Sequence, residues 1–390
     1  MAPAKLIRRV LLYLSVVAVL GLITLVAALR YWWLPELATR RDQVEAYLMQ
    51  VTGERVAIGE ISGGWRGLRP SVDLRRVRLI DSQGQTALNL NRVRADLSWW
   101  SMAVGQLRLH SLFIEQPVLN VRRAADGVIY VAGIALTQPN QEHGFADWVL
   151  KQRQIIISDG KLDWRDEKRN APALLLEGVK LRIENRAERH RFGLTGTPPS
   201  WLAQPMDIRG DVRGASVSDT KAWRGTLFAR VDYADIAAWK NWIPMPVEIQ
   251  HGIGAARLWV SFTDNKAGRI TTDVRLKGLS ARLASHLPLL QVKQLRGRIA
   301  WQSTPGGYEL RTEDIALNTA QGVSLPASDF SVRVDHGVGG RAAYHEIRTD
   351  RLRLEPLVTL ANYVPVDGEL VQALGELSPR GTLTETALQW

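Results

Sequence analysis

The chain alternates between apolar and polar residues in many short stretches. Between Gly178 and Asn185, the apolar residues Val179, Leu181 and Ile183 are separated by charged ones. Strand side chains point alternately to the two faces of a sheet, so this stretch predicts a half-buried strand. The same period of two recurs in "RVRADLSW", "RLWVSF", "TTDVRLKG" and "SVRVDHG". The pattern predicts a mainly β protein and leaves open what the apolar faces cover.

The N-terminus follows a different pattern. Val10 to Leu29 is apolar and uncharged, and at about 1.5 Å per residue it spans about 30 Å, the hydrocarbon thickness of a bilayer. Basic residues precede it and a Tyr-Trp-Trp sequence follows, which predicts one transmembrane helix with a cytoplasmic N-terminus. A cleaved signal peptide is the alternative, disfavoured by the length of the run and by the Trp pair. The predicted anchor residues are Val10, Leu11, Leu14, Val17, Leu20, Ile23, Leu25, Leu29, Trp32 and Trp33.

From these patterns the sequence is predicted to have five segments. They are residues 1–30 (cytoplasmic N-terminus and transmembrane helix), 31–53 (an interfacial amphipathic helix from Pro35 to Gly53), 54–135 (a first β module), 136–153 (a loop and short helix) and 154–390 (further β modules). The "DG" at Asp126-Gly127, between two apolar runs, predicts a hairpin.

One internal repeat is visible, over residues of about 223–260 and 344–390. Asn241-Trp242-Ile243-Pro244 matches Asn362-Tyr363-Val364-Pro365 at an offset of 365 − 244 = 121 residues, and Gly254 and Gly375 share that offset. Each copy predicts a strand, a short apolar helix, a proline stop and a return to strand. The repeat indicates an array of β modules. The last residues are strand-like, which predicts that the sequence is the front of a longer protein.

Charge and candidate chemistry exclude several classes of function. The net charge is +11, but the arginines are dispersed over polar strand faces, which disfavours nucleic-acid binding. There is no cysteine, so thiol catalysis and thiolate metal sites are excluded. The seven histidines show no metal spacing and are expected to be solvated. The acidic stretch "SDGKLDWRDEK" predicts a polar hairpin. We therefore expect no enzyme activity, no metal and no cofactor.

The apolar strand faces have two physical explanations. They bury one another in packed sheets or a closed barrel, which gives a string of β-sandwich domains. Alternatively, one long sheet keeps its apolar face for lipid acyl chains. The sequence pattern alone leaves both open.

A resemblance bears on this choice. The N-terminal layout, followed by "TGERVAIGEISGGWRGLRPSVDLRRVRLID" and "LRLHSLFIEQPVLNVRRAADG", resembles the AsmA-like family, in particular its long YhdP-type branch. The later "ISDGKLDWRDE" and "NWIP…GIGAARLWV" are also similar to that branch. The matching positions are Thr52-Gly53, Val56, Ile58-Gly59, Trp65, Gly67, Pro70, Gln116-Pro117, Leu119, Val121 and Asp126-Gly127.

The resemblance implies a fold, a place and a function. It implies a bacterial inner-membrane protein with a periplasmic, elongated, twisted antiparallel β-sheet groove of repeating modules, which transports phospholipids between the inner and outer membranes. It also implies partners: phospholipid acyl chains, the inner membrane and envelope proteins, but no nucleic acid. A periplasmic assembly scaffold remains the alternative. The candidate groove-lining residues are Val93, Leu97, Leu107, Leu109, Leu119, Val121, Val179, Leu181, Ile183, Leu258, Val260, Phe262, Val274, Leu276, Val332 and Val334.

Overall fold

One long N-terminal helix precedes a single β-sheet. The computed structural model of the protein describes residues 2–52, 55–80, 86–99, 109–135, 145–216, 222–245, 247–264, 266–337, 343–365 and 368–389. Helix α1 covers Ala2–Ala28 and continues as a π-helical turn at Leu29–Trp33. The 24 residues from Val10 to Trp33 have a mean hydropathy of 2.7, and none of the most apolar window is buried. This helix is long and apolar enough to cross a membrane once.

The other helices are short. A 3-10 turn at Pro35–Ala38 leads into α2, Arg41–Thr52. The single helix predicted from Pro35 to Gly53 is therefore two helices with a turn at Thr39 and Arg40, and Gly53 lies outside the described residues. Helix α3 is Phe145–Lys151, α4 is Leu354–Leu360 and α5 is Gly368–Leu377.

Within the described ranges, nineteen strands form one sheet. Their bounds are β1 Arg55–Arg66, β2 Arg69–Ile80, β3 Thr86–Leu97, β4 Leu109–Glu115, β5 Val118–Arg123, β6 Ile129–Val131, β7 Ile134–Ala135, β8 Gln154–Asp166, β9 Leu174–Arg186, β10 Arg189–Thr197, β11 Met206–Arg213, β12 Arg224–Asp235, β13 Glu248–Thr263, β14 Lys266–Arg282, β15 Leu290–Thr304, β16 Gly307–Thr319, β17 Ser324–Asp335, β18 Tyr344–Arg353 and β19 Thr382–Gln389. The predicted mainly β fold, with one apolar N-terminal helix and a long open antiparallel sheet, is confirmed.

Among the described strands, those that follow one another in sequence pair side by side, except that β5 does not pair with β4 and β8 does not pair with β7. From β1 to β4 and from β8 to β19 every neighbouring pair is antiparallel. Strands β4 and β5 instead run parallel to β8, one beside each half of it. The extended conformation is broken between β4 and β5 by Gln116, which has a φ of 50°, and by Pro117. Together β4 and β5 act as one kinked strand, and β6 and β7 extend from it as a small hairpin.

The sheet keeps its apolar side chains on one face despite several bulges. In β2 the buried residues Val72 and Leu74 are followed by two exposed arginines and then by buried Val77 and Leu79. The second arginine, Arg76, has a φ of 52°. An extra residue in the strand thus restores the apolar face after the bulge instead of inverting it.

Three groups of residues from outside the strands cover part of this apolar face. The segment between the N-terminal helix and α2, residues 34–40, is called the linker. Its residues Leu34 and Leu37 pack on β1 to β4 together with Val44 and Leu48 of α2 and Trp148 of α3. Leu202 and Trp242 pack on the first half of β9. Leu360 of α4 and Tyr363 pack on the adjoining ends of β14 and β15. From β8 onward, the covering residues lie at the strand ends on one side of the sheet, which we call the helical rim; the opposite strand ends form the open rim.

The repeated segments correspond only in part. Trp242 and Tyr363 both follow a short helix and both pack at the helical rim. After the shared proline, however, the first segment returns directly to a strand, whereas the second continues into helix α5. Gly254 therefore lies in a strand and Gly375 in a helix, so their equal offset has no structural counterpart.

The stretch "SDGKLDWRDEK" is a strand instead of the predicted polar hairpin. Its residues up to Asp166 belong to β8. Asp166 is 2% exposed and pairs with Arg123 of β5, while its Oδ1 also accepts a hydrogen bond from the Arg169 backbone at 3.2 Å. The partner lies 43 residues away, so no local pattern could reveal it.

Candidate functional site: the apolar face of the sheet

One row of side chains crosses the sheet without a polar member. Paired residues of neighbouring strands project from the same face, so the strand register can be followed from β1 to β19. The row runs through sixteen strands, namely β1 to β4 and β8 to β19. Its members are Gly63, Val72, Ala95, Leu112, Ile155, Ile183, Phe192, Gly210, Leu227, Val260, Ile270, Trp301, Leu310, Val332, Ile347 and Leu388. We call this the apolar row.

The row is long because it follows the sheet across sixteen strands. Sixteen strands are separated by fifteen spacings of about 4.8 Å, which gives a path of about 70 Å measured along the sheet. The row lies nearer the open rim than the helical rim, because the residues packed by α4 and Trp242 occupy the other ends of the same strands.

Burial differs sharply between the two ends of the row. In the first four strands, Val72 and Ala95 are buried beneath the linker and α2. From β9 to β18 the members of the row are half-buried, and Leu388 of β19 is exposed. Among the described residues, no second sheet covers this part of the face.

The predicted lining residues all project from the face that carries the apolar row, wherever the structure describes them. The register pairs Leu119 and Val121 with Leu162 and Trp164 of β8, and thereby places β5 on the same face. Six of the candidates are buried: Val93, Leu97, Leu109, Val179, Leu276 and Val334. Nine are half-buried: Leu119, Val121, Leu181, Ile183, Leu258, Val260, Phe262, Val274 and Val332. Leu107 lies outside the described residues.

The predicted anchor residues of helix α1 are mostly exposed, unlike the predicted lining residues of the sheet. Of the predicted set, Leu29 is half-buried and the other nine are exposed. A helix with this much exposed apolar surface requires an apolar environment, which a bilayer supplies.

The opposite face of the sheet is charged and paired. Arg182 with Glu184, Arg209 with Asp207 and Arg348 with Glu346 each join residues two apart on one strand, at 2.6 to 2.7 Å. The hydrogen bond from Arg182 lowers the pKa of Glu184, and that from Arg348 lowers the pKa of Glu346. These carboxylates stay ionised at neutral pH, so this face stays hydrated and discourages edge-to-edge aggregation.

In the described part of the chain, no group of three or more His, Cys, Asp or Glu side chains could hold a metal ion. His190 is buried, against the expectation that the histidines are solvated. Its ring nitrogens lie 2.8 Å from Asn185 Oδ1 and 2.9 Å from the Gly214 carbonyl oxygen, so a satisfied structural role accounts for it.

A protein-family comparison agrees with this architecture. The family model described as "YhdP protein" matches residues 1–390. The chain belongs to the YhdP family. No curated protein and no solved structure matches it. The exposed anchor helix and the open β-sheet are thus features of a YhdP-family chain, and the family membership supports a general link to lipid transport in the cell envelope.

Proposed function

We propose that this YhdP-family chain is an inner-membrane-anchored protein that carries phospholipid acyl chains along the apolar row. Helix α1 crosses the inner membrane with its N-terminus in the cytoplasm, and the sheet lies in the periplasm. The observation that carries the proposal is the continuous apolar row over sixteen strands, half-buried from β9 to β18.

The energetic reason is the cost of exposing a lipid to water. Moving an acyl chain of about fourteen methylenes into water costs about 11 kcal/mol at about 0.8 kcal/mol each. A barrier of that size slows transfer by about 10⁸. A continuous apolar surface lowers this barrier along its length. It breaks no covalent bond, so the proposed role needs no catalytic residue.

Three neighbouring residues of β9 test this proposal. Leu181 is half-buried on the apolar face, Lys180 is exposed on the polar face, and Val179 is 1% exposed beneath Leu202 and Trp242. Leu181→Asp places a charge on the open face and is expected to keep the fold while removing bound lipid. Lys180→Asp is the matched control and is expected to retain lipid. Val179→Asp buries an unpaired charge and is expected to unfold this region.

The measurement is native mass spectrometry of the full chain, purified from an expressing bacterium in mild detergent. Co-purifying phospholipid that is lost in Leu181→Asp and kept in Lys180→Asp supports transport along this face. Lipid that is absent from the unsubstituted, folded chain refutes the proposal. That result favours the scaffold alternative, which the fully packed face of β1 to β4 already fits.

A further inference from the structure

A basic cavity lies at the open rim, where β2, β4 and β8 begin and β3 and β9 end. Its volume is about 690 Å³. The cationic side chains of Arg69, Lys151, Arg153 and Arg186 line it together with His110. No Asp or Glu is among its described lining residues. Such a concentration of one charge favours an anionic ligand.

The cationic side chains of the cavity are not neutralised by ion pairs. None of Arg69, Lys151, Arg153 and Arg186 forms an ion pair with a described carboxylate, whereas arginines such as Arg182, Arg209 and Arg348 on the polar face do. Partial burial, reinforced by the nearby guanidinium groups of Arg69 and Arg153, lowers the pKa of His110. The cavity therefore has a positive potential, which Glu184 offsets in part through its interaction with Arg186.

The one carboxylate that acts on His110 is already engaged. Asp96 raises the pKa of His110 only as the smallest of four influences. Its Oδ2 accepts hydrogen bonds from Ser111 at 2.6 Å and from Arg66 at 3.3 Å. Asp96 thus neutralises Arg66 rather than the cations of the cavity.

A short series of contacts connects the cavity to the end of the membrane anchor. The Arg30 guanidinium carbon lies 5.8 Å from the centre of the Trp65 ring. The Trp65 and Trp99 rings are 5.9 Å apart, and Trp99 lines the cavity. The Trp99 indole also donates to the carbonyl of Leu68 at 3.0 Å, in a hairpin turn where Leu68 is 86% exposed. Tryptophan and exposed leucine beside basic groups are typical of a surface at the membrane interface.

The cavity lies beside the part of the apolar row formed by β8 and β9. Arg153 and Asn185, which line it, are each two residues from a member of the row, Ile155 and Ile183. Two residues of a strand span about 6.6 Å. A phosphate among the cations would therefore have the glycerol and first acyl carbons of its lipid beside the apolar row.

We propose that this cavity binds the phosphate of a glycerophospholipid headgroup and is the point where lipid enters the apolar row. The acyl-chain half of this inference rests on the proposed function, whereas the phosphate site does not. Free inorganic phosphate offers the same chemistry, so the experiment separates the two sources.

The test compares two triple variants of the full chain in non-ionic detergent. Arg69→Gln, Arg153→Gln and Arg186→Gln together remove three cavity cations. Their matched control, Lys180→Gln, Lys277→Gln and Lys293→Gln, removes the same charge from exposed positions outside the cavity. Binding of short-chain phosphatidylglycerol, the corresponding diacylglycerol and inorganic phosphate is measured by titration calorimetry.

The expected result is specific to the phosphate. The arginine variant should bind phosphatidylglycerol at least about tenfold more weakly than the control, a difference of about 1.4 kcal/mol, with diacylglycerol binding unchanged. Equal phosphatidylglycerol affinity in the two variants overturns the proposal. Inorganic phosphate bound as tightly as phosphatidylglycerol assigns the cavity to free phosphate and overturns the headgroup role.

A further variant separates this inference from the proposed function. In Leu258→benzoylphenylalanine, a photocrosslinking group sits on the apolar face of β13, remote in the strand order from the cavity. Lipid crosslinked there supports transport along the sheet. Arginine-dependent phosphatidylglycerol binding without that crosslink would leave the headgroup site standing and refute the transport.

Discussion

The contact between the membrane anchor and the sheet depends on one glycine. Gly63 is the first member of the apolar row, and a Cβ at this position would lie 2.5 Å from the Leu34 carbonyl oxygen and 2.9 Å from the Leu34 Cβ. Gly63→Ala must therefore push the linker away from β1. Gly64 is the matched control, because a Cβ there would meet only the Ser71 hydroxyl, at 3.5 Å.

The size of the expected effect on linker docking follows from the leucine side chains that the linker buries. Leu34 and Leu37 are each 2% exposed, and burying a leucine contributes about 1.5 to 3 kcal/mol, so docking of the pair is worth about 3 to 6 kcal/mol. Overpacking by one methyl group costs about 1 to 3 kcal/mol. Gly63→Ala should thus weaken docking without abolishing it.

The assay is hydrogen exchange of the backbone amides of the linker and α2, with the full chain in nanodiscs. In Gly63→Ala these amides should exchange at least about fivefold faster, corresponding to about 1 kcal/mol or more. In Gly64→Ala the change should stay within about 0.5 kcal/mol. Equal exchange in the two variants would show that the linker does not pack on the sheet in this way.

Two ion pairs give further predictions. Arg123→Met leaves the buried carboxylate of Asp166 unpaired and should lower the free energy of unfolding by about 3 to 5 kcal/mol. Arg122→Met, which removes an exposed ion pair, should change the free energy of unfolding by about 1 kcal/mol or less. Similar urea midpoints for the two variants would contradict the importance of the buried pair. The hydrogen bond from Arg92 lowers the pKa of Asp73 below the unfolded-state value of 3.8. The stabilisation of the fold by this pair is therefore complete above the unfolded-state pKa of Asp73 and is lost as pH falls through its folded-state pKa. The difference in urea midpoint between the unsubstituted chain and Arg92→Gln should therefore shrink from about pH 6 to about pH 3, and a constant difference would refute the assignment.

The sequence predicted the strands and their apolar faces because that information is local. Alternation over Val179, Leu181 and Ile183 requires no knowledge of distant residues. The parallel pairing of β4 and β5 with β8, and the pairing of Arg123 with Asp166, involve residues about forty positions apart and carry no local signal. The basic cavity was missed for the same reason, since it joins Arg69 to Arg186 through the topology of the sheet.

Alternation alone also could not separate a core from an open face. Val93 of β3 and Val260 of β13 occupy the same kind of position in the same kind of pattern, yet Val93 is buried and Val260 is half-buried. The difference lies in the linker, α2 and α3, whose apolar side chains pack on the first four strands.

The packing of the linker, α2 and α3 on the first strands divides the sheet into a covered region and an open region. The first strands bury their apolar face against the linker, and so fix the sheet to the end of the anchor, at the contact between Leu34 and Gly63. Beyond them, helical cover is confined to one rim, and the apolar row continues as a half-buried surface. A lipid that followed this row would therefore have to enter beside the fifth strand of the series, β8, where the packed region ends. The basic cavity lies at the start of that strand.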